Sequence, residues 1–114
     1  MAAPGRAEVW LVDFSPTRGH EQAGRRPALV VSVDPFNRGL AGLVFVVPMT
    51  TRERRVPTHV EVAPPDGGVR ARSFVRCEDL RPVAAERLVD GPYGRVSAGV
   101  LAQVEDRLRL LLGL

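Results

Sequence analysis

Lysine is absent from this chain of 114 residues, cysteine occurs once, and no apolar run approaches the roughly 20 residues that cross a bilayer. The lone Cys77 has no second thiol, which excludes an internal disulfide and a Cys-based zinc site, so the fold must stand on packing alone. Met1 to Ala7 lacks the apolar core of a secretory signal, and with no spanning segment the expectation is a soluble, cytoplasmic protein with no membrane association. There is no His-x-x-x-His pair, no carboxylate cluster, no assignable Ser/His/Asp order and no glycine-rich phosphate loop ahead of a helix. Metal-dependent hydrolysis, serine-type catalysis and P-loop chemistry lose their usual markers, and no cofactor or metal is expected.

What is present is arginine. All 16 basic residues are Arg, against 13 acidic ones, for a formal charge of +3. The planar guanidinium donates two parallel hydrogen bonds and suits phosphate, but a GC-rich genome that favours Arg codons explains the missing lysine better than function does. The total charge is therefore a mild preference for polyanions, and its distribution carries more information. At this length the chain makes one compact domain over 1–114 with a modest core.

Glu8 to Phe14 mixes Val9, Trp10, Leu11, Val12 and Phe14 with alternate acids, the pattern of a strand. Ser15 to Arg26 holds Pro16, Gly19 and Gly24 among polar residues and reads as a long exposed loop up to Pro27. Ala28–Val33 and Leu43–Val47 are near-continuous apolar runs, the mark of central strands, with a turn at Asp34, Pro35, Asn37 and Gly39. Pro48 closes the second run, and an arginine-bearing loop follows over Met49–Pro57. Thr58–Val62 and Ser73–Cys77 complete five short strands, which suggests a small barrel. The period changes once: Val100, Leu101, Val104, Leu108, Leu111 and Leu112 recur at helical spacing after Ser97, an N-cap, and before Gly113, a stop. The spacing predicts a terminal helix over 97–112, with Glu105 and Arg109 paired on its solvated face, and residues 1–6 loose.

Three constellations carry chemistry. Pro16–Pro27 packs three arginines, Glu21, Gln22 and two glycines into twelve residues, a density suited to a ligand and equally open to a solvated loop. Pro48-Met49-Thr50-Thr51-Arg52 places two hydroxyls directly after a buried strand, where they can be held for a ligand or make local turn bonds. Ser73–Pro82 flanks a strand with Arg76, Glu78, Asp79 and Arg81, which could equally form a salt network. His20 and His59 stand alone, and either has a side chain able to titrate near neutrality.

In this order the three constellations resemble the MazF/PemK (Kid) toxins of bacterial toxin-antitoxin pairs. The matching segments are Glu8–Gly19, Glu21–Pro27, Val46–Thr51 and Val75–Arg81, with Pro16–Pro27 the most specific, and the terminal Leu108–Leu112 helix is similar too. The resemblance implies a mainly β fold with a C-terminal helix: an SH3-like barrel of about five to seven short strands, of the MazF/CcdB type, assembled as a homodimer. It implies a sequence-specific, metal-independent endoribonuclease that acts on single-stranded RNA, mRNA included, and leaves 2′,3′-cyclic phosphate and 5′-hydroxyl ends. Arg26 and Thr50 are the catalytic candidates on this reading, and Arg18, Gly19, Glu21, Gln22, Thr51, Arg76, Glu78 and Arg81 are the RNA contacts. The implied partner is an antitoxin with an acidic, partly disordered tail that covers an arginine-lined groove.

A guanidinium is almost never deprotonated, so Arg26 is assigned to charge stabilisation, and the general base stays open among Glu21, Glu78, His59 and water. Glu78-Asp79 departs from the Asp-Gln that many members carry, which puts the recognised RNA sequence in question. Trp10, Tyr93 and four phenylalanines are few for base stacking, so recognition is expected to rest on polar contacts and shape. The alternatives are a non-catalytic barrel, either a gyrase poison of the CcdB kind or a protein that binds RNA without cutting it.

Overall fold

The computed structural model describes residues 3–15 and 24–114. Seven strands and two helices run β1 (Glu8–Asp13), β2 (Arg25–Val30), α1 (Asp34–Asn37), β3 (Leu43–Thr50), β4 (His59–Val62), β5 (Ser73–Arg76), β6 (Arg81–Ala84), β7 (Leu88–Arg95) and α2 (Ala98–Leu112). The strands form one sheet in the order β4-β5-β3-β2-β1-β7, with β6 also on β3 and every pairing antiparallel. This is the mainly β, barrel-like architecture with a terminal helix that was expected. The strand count sits at the upper end of the range, and the described pairings do not close the ring.

Central strands read as continuous apolar runs because both faces of the sheet are buried. On one side Val9, Leu29, Val47, Met49, Val62 and Val75 form a core closed by Val104 of α2, with Val100, Leu101 and Leu108 packed against it. On the other, Trp10, Val12, Phe14, Ala28, Val30, Val44, Val46 and Val83 form a second core. Period-2 alternation sends successive residues of β1, β2 and β3 to opposite cores.

β3 changes partner along its length. Leu43–Val46 pair with β6, and Met49 and Thr50 pair with β5. Pro48 falls between the two, so its missing N–H lies where that edge has no partner, and the strand continues to Thr50 instead of closing at the proline. For a similar reason β2 starts at Arg25 rather than after Pro27: β1 supplies its partner residues three positions earlier than the apolar run suggests.

The helix is bounded as its sequence predicts. The Ser97 hydroxyl accepts from the Val100 N–H at 3.2 Å, and Gly113 caps the other end at φ 71°. The Glu105–Arg109 pair does not form. Glu105 takes the Arg6 guanidinium, and Arg109 turns back to Asp106 at 3.2 Å. Ahead of β1, Pro4 is buried, the Gly5 N–H donates to Glu8 Oε1 at 2.6 Å, and the Arg6 N–H to Asp34 Oδ1 at 2.8 Å. No helix among the described residues is long and apolar enough to cross a membrane.

Candidate functional site

Arg26 lies at the start of β2, opposite Val12 of β1, with its side chain exposed. Thr50 ends β3, half-buried and opposite Phe74 of β5. Both lie beyond the same end of the β2–β3 pairing. Val30, Leu29 and Ala28 face Val46, Val47 and Pro48, where the β2–β3 pairing ends, two residues short of Arg26 on one strand and of Thr50 on the other. Alternation puts both on the face of the second core, beyond Ala28 and Pro48. Arg81 shares the face: it pairs with Val46, and its guanidinium lies 4.3 Å from the centre of the Phe14 ring.

The Thr50 hydroxyl accepts from the Arg52 N–H at 3.1 Å, the local turn bond expected of a Thr in this position. Its own O–H remains a donor, so the turn orients the hydroxyl without consuming it. Thr51 points to the opposite side of the strand end and, with Pro27, borders a separate cleft of about 520 Å³.

Beside β3, Arg76 stands two residues along β5 from Phe74, on the same face as Thr50 and diagonal to it, about 7–8 Å away by ordinary sheet geometry. The chain then leaves the strand in a single turn over Cys77–Asp79, so Glu78 does not continue the alternation. It turns back to accept from the Thr58 hydroxyl at 2.6 Å and to meet His59 Nε2 at 2.7 Å. Arg76 closes the cluster, 3.7 Å from Glu78 and 3.2 Å from Asp79. Burial acts to raise the Glu78 carboxyl, but the bonds from Thr58 and His59 outweigh it and hold Glu78 below the ordinary range. The salt network weighed for this segment therefore exists, and Asp79, where the family pattern has an amide, is engaged by Arg76.

His59 was a candidate base, yet its side chain is 3% exposed, Nε2 is occupied by Glu78, and Nδ1 is buried with no hydrogen-bond partner among the described residues. It is a packed strand residue opposite Arg76. Cys77 is likewise buried, with its thiol pushed up to about 12 by that burial and by the charge of Glu78. Arg18, Gly19, His20, Glu21 and Gln22 lie outside the described residues.

Arginines near the site fall into two groups that the sequence does not distinguish. Arg72 is clamped by Glu61 at 2.7 Å and Glu53 at 2.9 Å. Arg25, Arg26, Arg52, Arg54, Arg55 and Arg70 are exposed and have no hydrogen-bond or ionic partner among the described residues. Arg54, Arg55 and Arg70 were not singled out from the sequence; three arginines in four positions directly after Thr51 were the available signal.

A bent antiparallel sheet with a helix at its end, carrying unpaired arginines around a strand-end hydroxyl, defines a small barrel built to meet a polyanion. The chain belongs to the PemK-like, MazF-like toxin family of type II toxin-antitoxin systems, which matches residues 5–112. It is 40% identical to the endoribonuclease MazF9 of Mycobacterium tuberculosis, covering 96% of both chains. The crystal structure of MazF from Deinococcus radiodurans superposes with a TM-score of 0.87 at 33% identity, covering 98% of both. A mycobacterial endoribonuclease in complex with its cognate antitoxin superposes at 0.78, with 27% identity over 100% of this chain and 97% of that one.

Proposed function

We propose that this toxin is a metal-independent, sequence-specific endoribonuclease acting on single-stranded RNA, with Arg26 and Thr50 at the reacting phosphate. The observation that carries the reading is the β2–β3 pairing, beyond one end of which lie both an unpaired guanidinium and an oriented hydroxyl, on the same face by strand alternation. In the reaction the 2′-oxygen bonds to the adjacent phosphorus, the bond from phosphorus to the 5′-oxygen breaks, and the leaving 5′-oxygen takes a proton from Arg26 or water, so that the products are a 2′,3′-cyclic phosphate and a 5′-hydroxyl. Negative charge grows on the phosphoryl oxygens in between. Arg26 faces that charge, and Thr50 donates a second hydrogen bond to it.

The proton leaving the 2′-hydroxyl needs an acceptor. His59 is buried and Glu78 is held ionised by two donors, so both serve the fold of the neighbouring turn better than they serve as a base. Glu21 and water remain the acceptors this proposal uses. Arg18, Gly19, Glu21, Gln22 and Thr51 are assigned to RNA on the strength of the family pattern. Arg76, Glu78 and Arg81 border the same face and are assigned to flanking nucleotides, with Glu78 keeping acceptor capacity beyond its two donors. The working form is a cytoplasmic homodimer, restrained by an antitoxin whose acidic tail lies along the unpaired arginines; the antitoxin complex of the mycobacterial relative supports that partner.

The test is incubation with a long single-stranded RNA in excess EDTA, with the cut ends mapped. Discrete cuts bearing 5′-hydroxyl ends are expected. No cutting by the folded protein would sink the reading and leave a binding barrel.

A further inference from the structure

Pro27 and Thr51 each follow a proposed catalytic residue, and both turn to the far side of the strand pair, where they form one wall of the cleft of about 520 Å³. That volume lies within the range of about 300–1,000 Å³ that small-molecule sites occupy. Arg70, Ser73, Asp90 and Tyr93 line the same cleft. Tyr93 is 42% exposed, one of the few aromatic side chains open to solvent, and its hydroxyl donates to Asp90 Oδ2 at 3.0 Å, which fixes the phenol.

The backbone beneath is equally constrained. The single turn Asp66–Gly68 lies against β7 so closely that a Cβ on Gly68 would sit 2.1 Å from the Tyr93 carbonyl oxygen, and one on Gly94 would sit 2.7 Å from the Gly68 nitrogen. Only glycine permits this contact, and it holds the segment bearing Arg70 alongside Tyr93. Burial and the Asp90 hydrogen bond raise the Tyr93 phenol while the charge of Arg70 acts in the opposite sense, in keeping with a guanidinium close to the ring. Arg70 has no partner among the described residues, and Asp90, the cleft's carboxylate, is already occupied by Tyr93.

We infer that this cleft is a nucleotide subsite for the RNA strand running on from Arg26 and Thr50, in which Tyr93 stacks on a base and Arg70 holds a phosphate. The aromatic face and the unpaired guanidinium are elements that single-stranded nucleic acid sites combine, and Pro27 and Thr51 bring this cleft to the neighbours of the proposed reacting pair. The inference takes its substrate class from the proposed function but does not depend on cleavage. It adds a stacking contact where the shortage of aromatics had suggested none.

The probe is a single-stranded RNA carrying 2′-O-methyl groups throughout, which cannot be cut because the attacking oxygen is capped. Tyr93→Ala should bind it about tenfold more weakly, while Tyr93→Phe, which keeps the ring, should stay within about twofold. Arg70→Ala should lower the slope of log affinity against log salt by about 0.7. On cleavable RNA the loss in Tyr93→Ala should fall on KM more than on kcat. Unchanged affinity in a Tyr93→Ala protein that melts like its parent overturns the subsite, as does a parent that does not bind the probe. RNA affinity unchanged while affinity for an acidic peptide falls would assign the cleft to a protein and overturn it too. Weakened probe binding in a protein that cuts nothing would keep the subsite and remove the cleavage reading.

Discussion

Two arginine-bearing regions flank β3, and they differ in what the arginines touch. On the β4–β5 side, Arg72 and Arg76 are held by Glu53, Glu61, Glu78 and Asp79, and the Glu78 carboxylate is further engaged by Thr58 and His59. On the side where β2 begins and β3 ends, Arg26, Arg52, Arg54, Arg55 and Arg70 have no such partners among the described residues. The first region is internally neutralised. The second leaves positive charge exposed beside an oriented hydroxyl, where an anion supplies the missing partner.

Arg26→Ala is the strongest way to break the comparison. Removing a donor aimed at developing charge costs about 2.7–4 kcal/mol, so cleavage should fall on the order of 100- to 1,000-fold. The side chain is exposed and packs nothing, so Tm should stay with the parent. Single-turnover cleavage alongside a thermal melt checks both, and retained cleavage would remove Arg26 from the mechanism. Thr50→Val, which keeps the shape and loses the donor, should cost less, about tenfold, the worth of one hydrogen bond to a charged group.

Next in size is the loop after Thr51. If its arginines meet phosphate, Arg54→Ala or Arg55→Ala should each lower the slope of log affinity against log salt by about 0.7, the share of one phosphate on a single strand. Arg76→Ala should lower it by less, since its charge is already offset by Glu78 and Asp79. Equal slope changes at all three positions would show that pairing within the fold does not withdraw an arginine from RNA.

Much of this was legible in the residues. The apolar runs of β2 and β3 identify central strands because burial on both faces removes alternation, and Ser97 and Gly113 mark the helix because caps are local chemistry. β6 and β7 were missed: Arg81–Ala84 is four residues with a proline, and Leu88–Arg95 carries Asp90, two glycines and Pro92, so neither shows a period. Their pairing with β3 and β1 is set by the rest of the sheet. The face shared by Arg26 and Thr50 was not visible either, because it depends on the register between strands about twenty residues apart. Likewise, which arginines are paired depends on carboxylates distant in sequence, such as Glu53 for Arg72.

The paired side has its own test. Glu78 is held below its ordinary range when folded, so its contribution is present above the unfolded carboxyl value near 4.3 and is lost as pH falls through the folded one. Glu78→Gln should therefore lower Tm at neutral pH, and the gap from the parent should close as the pH drops below about 4. With the carboxylate partly solvated, the expected size is on the order of 1 kcal/mol, roughly 4–8 °C in a domain of this length. A gap that stays constant down to acid pH would mean that the amide loses shape complementarity and not charge.

Arg72→Ala should give the smallest effect, although Arg72 makes more ionic contacts than any unpaired arginine on the other side. Both its carboxylate partners are exposed, and such pairs contribute little to stability because water screens them and the long side chains lose freedom. Its charge is already met twice over, by Glu53 and Glu61, so the salt slope of RNA binding should not move. The loss should instead free Glu53 in the loop that follows Thr50, leaving two uncompensated carboxylates that repel phosphate slightly at low salt. A slope that falls by about 0.7 would place Arg72 against the RNA and merge the two regions into one binding surface.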